Sequence, residues 1–295
     1  MSKIKIITDS GSDISWEKAE KLGIRMLPIS FTFDGETYYR EGIDMSKDEF
    51  FSKLSVKDAP VPKTAQVTPI QFAEAFNEEY DNGYDTLIVV TISSAGSGMH
   101  QNAVMMAQEV MEERGGEIIV VDSHGYSCMY GGAVVHAAHM LNNGKTKDEI
   151  VDYLNDAISS MKPYFLVGDL EHLKKGGRIN TATLVIASML DIKPLLTVKD
   201  GLVVQKDKLR GGKNLYKKLV KNAIDDGYDL TGKTVFIAHS AMEDKAAEVI
   251  AEIEKEVSGV KFLTYCIGSV IGCHGGPDLI GVVFSDKYNF EDYED

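Results

Sequence analysis

Two stretches, DTLIVVTIS at 85–93 and EIIVVDS at 117–123, are apolar runs too short for buried helices and bounded by polar residues. A strand with one wet face alternates apolar and polar residues, whereas unbroken runs suit strands covered on both faces. Helical patterns at 71–81, 99–113 and 129–142 lie between and beside them. Strand, helix and strand in that order require a crossover connection, which makes a parallel, doubly wound sheet the expectation for the first half of the chain.

The flanking sequence extends this pattern. KIKIITDS adds a strand, residues 16–22 a helix, and IRMLPISFTF followed by Asp34-Gly35 and ETYY reads as a hairpin. Three capping boxes mark helix starts: Ser46 with Glu49, Thr68 with Gln71 and Pro69 in the first turn, and Thr146 with Glu149. After Pro163 the order changes. PYFLVGDL, a helical TATLVIASML, and PLLTVKDGLVVQKD turning at Asp200-Gly201 precede TVFIAHS, FLTYCIGS and LIGVVFSD, which alternate with helices at 212–226 and 242–257. Hairpins mixed with crossovers predict a second α/β domain with a mixed sheet, giving domains at 1–162 and 163–295.

Charge narrows the function classes. Lys and Arg number 31 against 45 Asp and Glu, a formal charge of -14, which argues against general affinity for nucleic acid or anionic membrane surfaces. No stretch approaches the roughly 20 apolar residues of a membrane helix, and MSKIKIITDS runs into a strand without a secretory apolar core, so a cytoplasmic protein is expected. Cys128, Cys266 and Cys273 form no C-x-x-C and read as reduced core residues.

In a doubly wound sheet, ligands collect beyond the carboxyl ends of the strands. Three such ends carry hydroxyls or acids: Thr8-Asp9-Ser10, Ser93-Ser94 with Ser97, and Asp122-Ser123. The Gly96-Ser97-Gly98 turn precedes a helix and suits a small acidic group, though each loop taken alone is also ordinary turn and capping chemistry. Neither a dinucleotide fingerprint nor a phosphate-binding lysine loop is present. IGCHGGP at 271–277 predicts a bent loop presenting His274, while His136 and His139 on one helix lack an acid at metal-ligand spacing. HLKKGGRIN at 172–180 reads as a helix stop at Gly176 with Arg178 in the next turn. Seven basic residues and one acid fall between Lys206 and Lys221, either a solvated face or a docking patch for an acidic partner.

Six ordered segments together resemble the DegV family, the fatty acid-binding subunits of bacterial fatty acid kinase: TDSGSD at 8–13, PKTAQVTP at 62–69, ISSAGSGMHQ at 92–101, VDS at 121–123, LEHLKKGGRIN at 170–180 and IGCHGGPDLIGVVF at 271–284. The resemblance covers essentially the whole chain. It implies one long-chain fatty acid held in a tunnel between two domains, no cofactor, and chemistry on a separate dihydroxyacetone-kinase-like subunit that brings ATP and Mg²⁺. The family's carboxylate ligands fall on Thr64, on the serine loop Ser93, Ser94 and Ser97 with Ser94 favoured, and on His274. Its partner-facing basic residue falls on Arg210, with Lys213 close by. SSAGSGM stands where the family commonly has SSGLSGT, and GCHGGP where it has GTHTGP. Two alternatives are a serine hydrolase using Ser94 or Ser97 with His274 and Asp122, and a lipid reservoir without a kinase partner.

Overall fold

The computed structural model describes residues 2–168, 170–179, 192–212 and 214–290. The two apolar runs become β6 (Thr86–Thr91) and β7 (Glu117–Asp122), joined through α4 (Met99–Arg114). With β1 (Ile4–Asp9) and β2 (Arg25–Leu27) they form a four-stranded sheet in the order β2-β1-β6-β7, every pair parallel. α1 (Trp16–Lys21), α3 (Pro69–Asp81), α5 (Cys128–Asn142) and α6 (Lys147–Ser159) complete the crossovers. Thr68 and Thr146 make reciprocal capping boxes, and at Ser46 the Oγ accepts from the Glu49 N–H at the start of α2 (Lys47–Leu54).

IRMLPISFTF does not run as one strand. Pro28 lacks an N–H and interrupts it, so β2 joins the parallel sheet while β3 (Ser30–Thr32) turns into a small antiparallel sheet, order β4-β3-β5. There β3 pairs with β4 (Tyr39–Arg40) on one side and β5 (Lys63–Ala65) on the other, Phe31 standing opposite Thr64. The turn itself is as expected: Asp34 Oδ1 accepts from the Glu36 and Thr37 N–H groups, both at 2.8 Å.

β8 (Met161–Leu166) spans the change of pattern at Pro163 and opens a six-stranded mixed sheet, order β10-β9-β8-β13-β11-β12. It contains the Asp200-Gly201 hairpin of β9 (Ile192–Lys199) and β10 (Leu202–Arg210), then β11 (Thr234–His239), β12 (Lys261–Cys266) and β13 (Ile280–Ser285). Of its pairings only β11 with β12 is parallel. α8 (Leu215–Asp225) and α9 (Glu243–Glu256) cover one face, burying Leu219, Val220, Val249 and Ile253 against Val235, Ile237 and Val282. The helix expected at 181–190 lies outside the described residues. Among the described residues no helix is long and apolar enough to cross a membrane.

The opposite face of this sheet meets the first half of the chain. Phe236 and Val283 join the same apolar core as Val90, Ala133 and Val134. Within the first half, close approach of α5 to the turn after β1 depends on a glycine: a Cβ on Gly131 would stand 2.3 Å from the Ser12 carbonyl oxygen, which is backbone and cannot swing away. Gly131→Ala should therefore lower stability by about 1–3 kcal/mol, despite the better helix propensity of Ala. Urea unfolding would show it as a lower midpoint at unchanged slope.

Candidate functional site

The two halves leave between them a cavity of about 500 Å³. Its walls are apolar: Ile92, Met99 and Met129 from the first half face Phe165, Val203 and Leu279 from the second. Polar side chains on its lining include Thr64 and Gln66 from one segment, and Ser97, Arg178 and His274 from three others.

Thr64 comes from β5, held by pairing with Phe31, and His274 from the last turn of α10 (Ser269–Gly275). They meet with Thr64 Oγ1 and His274 Nε2 3.0 Å apart, a contact spanning 210 positions of sequence. The loop expected at IGCHGGP is thus a short helix. Gly272 reads as a helix breaker, yet it lets α10 lie against α2, where a Cβ would come within 2.7 Å of Phe50 and 3.0 Å of Phe51.

His274 is half-buried, and its Nδ1 is enclosed without a hydrogen-bond partner. It faces the end of α7 (Glu171–Gly176), where a Cβ on Gly176 would stand 2.2 Å from Nδ1. Burial, then the nearby Arg178 cation and His172, push the His274 pKa down to about 4, so the ring is neutral near pH 7. For Thr64 to donate its hydroxyl proton to an anion, its oxygen must accept from Nε2–H. That tautomer leaves Nδ1 with only a lone pair unmatched.

Arg178 is the residue sequence reasoning passed over. Gly177, at φ +69°, turns the chain back after α7, so Arg178 Nη1 donates to the Gly176 carbonyl and Nε donates to the Gly96 carbonyl at 2.8 Å. Its guanidinium ties the end of α7 to the serine loop and places a cation beside His274. The glycine pair ahead of an arginine was the available signal; the contact across 82 residues that gives it meaning was not.

The serine loop divides. Ser97 lines the cavity, its Oγ accepting from the Met99 N–H at 3.3 Å and lying 3.5 Å from Gln66 Oε1. Ser93 is fully buried and faces the β9–β10 hairpin, its Oγ donating to the Gly201 carbonyl at 2.8 Å. Ser94, the serine favoured from sequence, is exposed; its N–H donates to Asp122 Oδ1 at 3.0 Å, which turns it away from the cavity. The three strand ends do converge. Asp9 Oδ2 accepts from the Ile92 N–H at 2.7 Å, while Asp122 holds the Ser94 and His124 N–H groups. His124 Nδ1, not His274, stands 3.2 Å from Asp122.

Arg210 is exposed at the end of β10, and Lys213 lies outside the described residues. The basic run is split between Lys206, Lys208 and Arg210 on β10 and Lys217, Lys218 and Lys221 on α8, with Lys206 paired to Asp226 at 2.6 Å.

The model of the DegV family matches residues 3–287. The chain belongs to the DegV family. A DegV domain-containing protein of Caldanaerobacter subterraneus is 32% identical over 287 residues, 97% of this chain and 100% of that protein. Among solved structures, a DegV family protein from Thermus thermophilus, described for its fatty acid binding, superposes with a TM-score of 0.84 at 28% identity, covering 96% of this chain and 99% of that one. A stearic acid-binding protein from Eubacterium ventriosum superposes with a TM-score of 0.82, also at 28% identity, covering 97% and 99%. The parallel sheet followed by a mixed sheet is therefore the DegV architecture, and the cavity lies where its two halves meet.

Two measurements follow for this DegV protein. The Gly201 carbonyl also accepts from Tyr126 Oη at 2.7 Å, so a Ser93→Ala, Tyr126→Phe double variant removes both bonds at the hairpin tip. At about 1 kcal/mol net per bond, amide exchange around residues 199–202 should quicken about tenfold or more. Separately, the His274 imidazole should titrate near pH 4 by NMR. Because its folded pKa lies below the unfolded value of 6.5, its contribution to stability is present above about 6.5 and is lost as pH falls through 4.

Proposed function

We propose that the cavity binds a long-chain fatty acid, with the carboxylate at Thr64, Ser97 and His274 and the acyl chain between the two halves. The single observation that carries this reading is the joining of a neutral hydroxyl–imidazole pair to a cavity with otherwise largely apolar walls. An ionised carboxylate withdrawn from water without donors is very unfavourable, and the Thr64 and Ser97 hydroxyls meet that need, Thr64 being freed to donate by the His274 Nε2–H it accepts. Burying roughly fourteen methylenes at about 0.8 kcal/mol each supplies a gross drive of about 11 kcal/mol, before the cost of ordering the chain. The fatty acid binding described for the Thermus thermophilus and Eubacterium ventriosum proteins supports assigning the same ligand class here.

We further infer that the bound carboxylate is presented to a separate dihydroxyacetone-kinase-like subunit, which phosphorylates it to an acyl phosphate. Neutral donors hold the oxygens without a tight ion pair to the carboxylate, leaving one free to attack the γ-phosphorus of ATP brought by the partner with Mg²⁺, the bond to the bridging oxygen breaking and ADP leaving. In this role the chain contributes positioning and no cofactor of its own. The exposed Arg210, with Lys208, Lys217 and Lys221 exposed on β10 and α8, is the assigned docking face for that acidic or phosphate-bearing partner. The hydrolase alternative fares worse on geometry: His274 pairs with Thr64, and Asp122 faces His124 and Ser94.

Native mass spectrometry of the purified protein should show a non-covalent adduct with the mass of a long-chain fatty acid. A Thr64→Val, His274→Ala variant should retain it about 10–100-fold less tightly, the worth of one or two hydrogen bonds to a charged group. Unchanged affinity would remove the site. Arg210→Glu should leave lipid affinity as it is and reduce acyl-phosphate formation with the kinase subunit; unreduced formation favours a reservoir.

A further inference from the structure

Helix α10 has only two turns, and its position decides where His274 stands. Acids from the first half of the chain hold its amino end. The Gly268 N–H donates to Asp13 Oδ1 at 2.9 Å, the Val270 N–H to Glu41 Oε1 at 2.7 Å, and Ser269 Oγ to the same Glu41 oxygen at 3.1 Å. Glu41 is only 6% exposed, and its second oxygen, Oε2, is buried without a hydrogen-bond partner. The carboxyl groups of Glu41 and Asp13 both approach within 2.6 Å of the point a Cβ on Gly268 would occupy, which places the two acids close together. Ionised, Glu41 sets a bare anionic oxygen away from water and beside a second acid. One proton removes that charge while Oε1 goes on accepting from Ser269 and Val270.

We propose that Glu41 is a positioning residue for His274: protonated, it fastens α10 to the first half of the chain, and its ionisation loosens α10 and weakens the hold on a bound carboxylate. The ligand in this statement rests on the fatty acid reading above; the positioning role does not. Other titratable groups surround the pair. Asp9 lies on β1, Tyr130 and Cys128 on α5, Tyr265 and Cys266 on β12, and Cys273 on α10 itself. Lys47 of α2 approaches from the same side, its Nζ donating to the Cys266 carbonyl at 2.8 Å. Burial and then Asp13 raise the Glu41 pKa to about 7, against the opposing pull of the Val270 N–H and the nearby Ser10 and Ser269 hydroxyls. With the folded value above the unfolded 4.5, the stabilisation is complete below about pH 4.5 and is lost as pH rises through 7.

The experiment compares wild type with Glu41→Gln, which keeps an acceptor for Val270 and cannot ionise, from about pH 5.5 to 8.5. Palmitic acid is the probe, and the His274 imidazole is followed by NMR in the ligand-free protein. Wild-type affinity should fall about tenfold more than that of Glu41→Gln across the range, about one pKa unit of coupling. Ionisation of the fatty acid itself is common to both proteins and cancels in the comparison. The His274 resonances should shift with a midpoint near 7 in wild type and hold steady in Glu41→Gln. Ser269→Ala, which keeps the acid but removes one donor, should move that midpoint upward. Identical pH profiles and identical His274 titrations in wild type and Glu41→Gln overturn the proposal. Failure of both proteins to bind palmitic acid at any pH overturns the fatty acid reading instead, and the imidazole titration then decides the positioning role.

Discussion

The buried carboxyl group of Asp9 is the fixture from which the rest of the site is hung. Where β1 and β6 run out, their ladder leaves backbone donors with no strand to receive them. Asp9 takes up the Gly11 and Ile92 N–H groups and the Tyr130 hydroxyl, at 3.0, 2.7 and 2.7 Å. One side chain thereby ties together the turn after β1, the loop after β6 and the buried helix α5. Burial is the dominant influence on it and raises its pKa to about 6, with those three donors pulling back. Gly96 and Ser97 follow from that anchored loop, and Arg178 in turn closes onto Gly96.

How much of this was legible follows from the range of each interaction. The apolar runs that become β6 and β7, and the hydroxyl caps at Thr68 and Thr146, are decided within a few residues and could be read directly. Thr64 and His274 were named from a resemblance, and the structure brings them together across 210 residues. The resemblance favours Ser94, but local sequence does not say which of three neighbouring hydroxyls lines the cavity; Asp122, 28 residues away, takes the Ser94 amide, and Ser97 is the one on the lining. From sequence α10 reads as a loop, because its glycines weigh against a helix when counted alone. Contacts from Asp13, Glu41, Phe50 and Phe51, all more than two hundred residues distant, outweigh that propensity.

The site also shows why polar chemistry can sit in a largely apolar chamber. Among Thr64, Ser97 and His274 no side chain carries a charge near neutral pH, and the one nearby cation, among the residues described on the cavity lining, is Arg178, committed to the carbonyls of Gly96 and Gly176. The guanidinium therefore acts first on the frame, ordering α7 against the serine loop and keeping the imidazole neutral. Acids do the corresponding work behind α10. Burial moves the pKa values of His274 and Glu41 in opposite directions, each toward its uncharged form, by the same exclusion of water.

The basic run of β10 has a consequence apart from any partner. β10 is the outermost strand of the six-stranded sheet, and an edge strand offers unmatched backbone groups on which a foreign strand can grow. Here the register breaks between Gln205 and Asp207, and Lys206, Lys208 and Arg210 cluster around the break. A kinked border studded with like charges is a poor template for templated stacking, so the same residues help keep the molecule from polymerising through its own sheet.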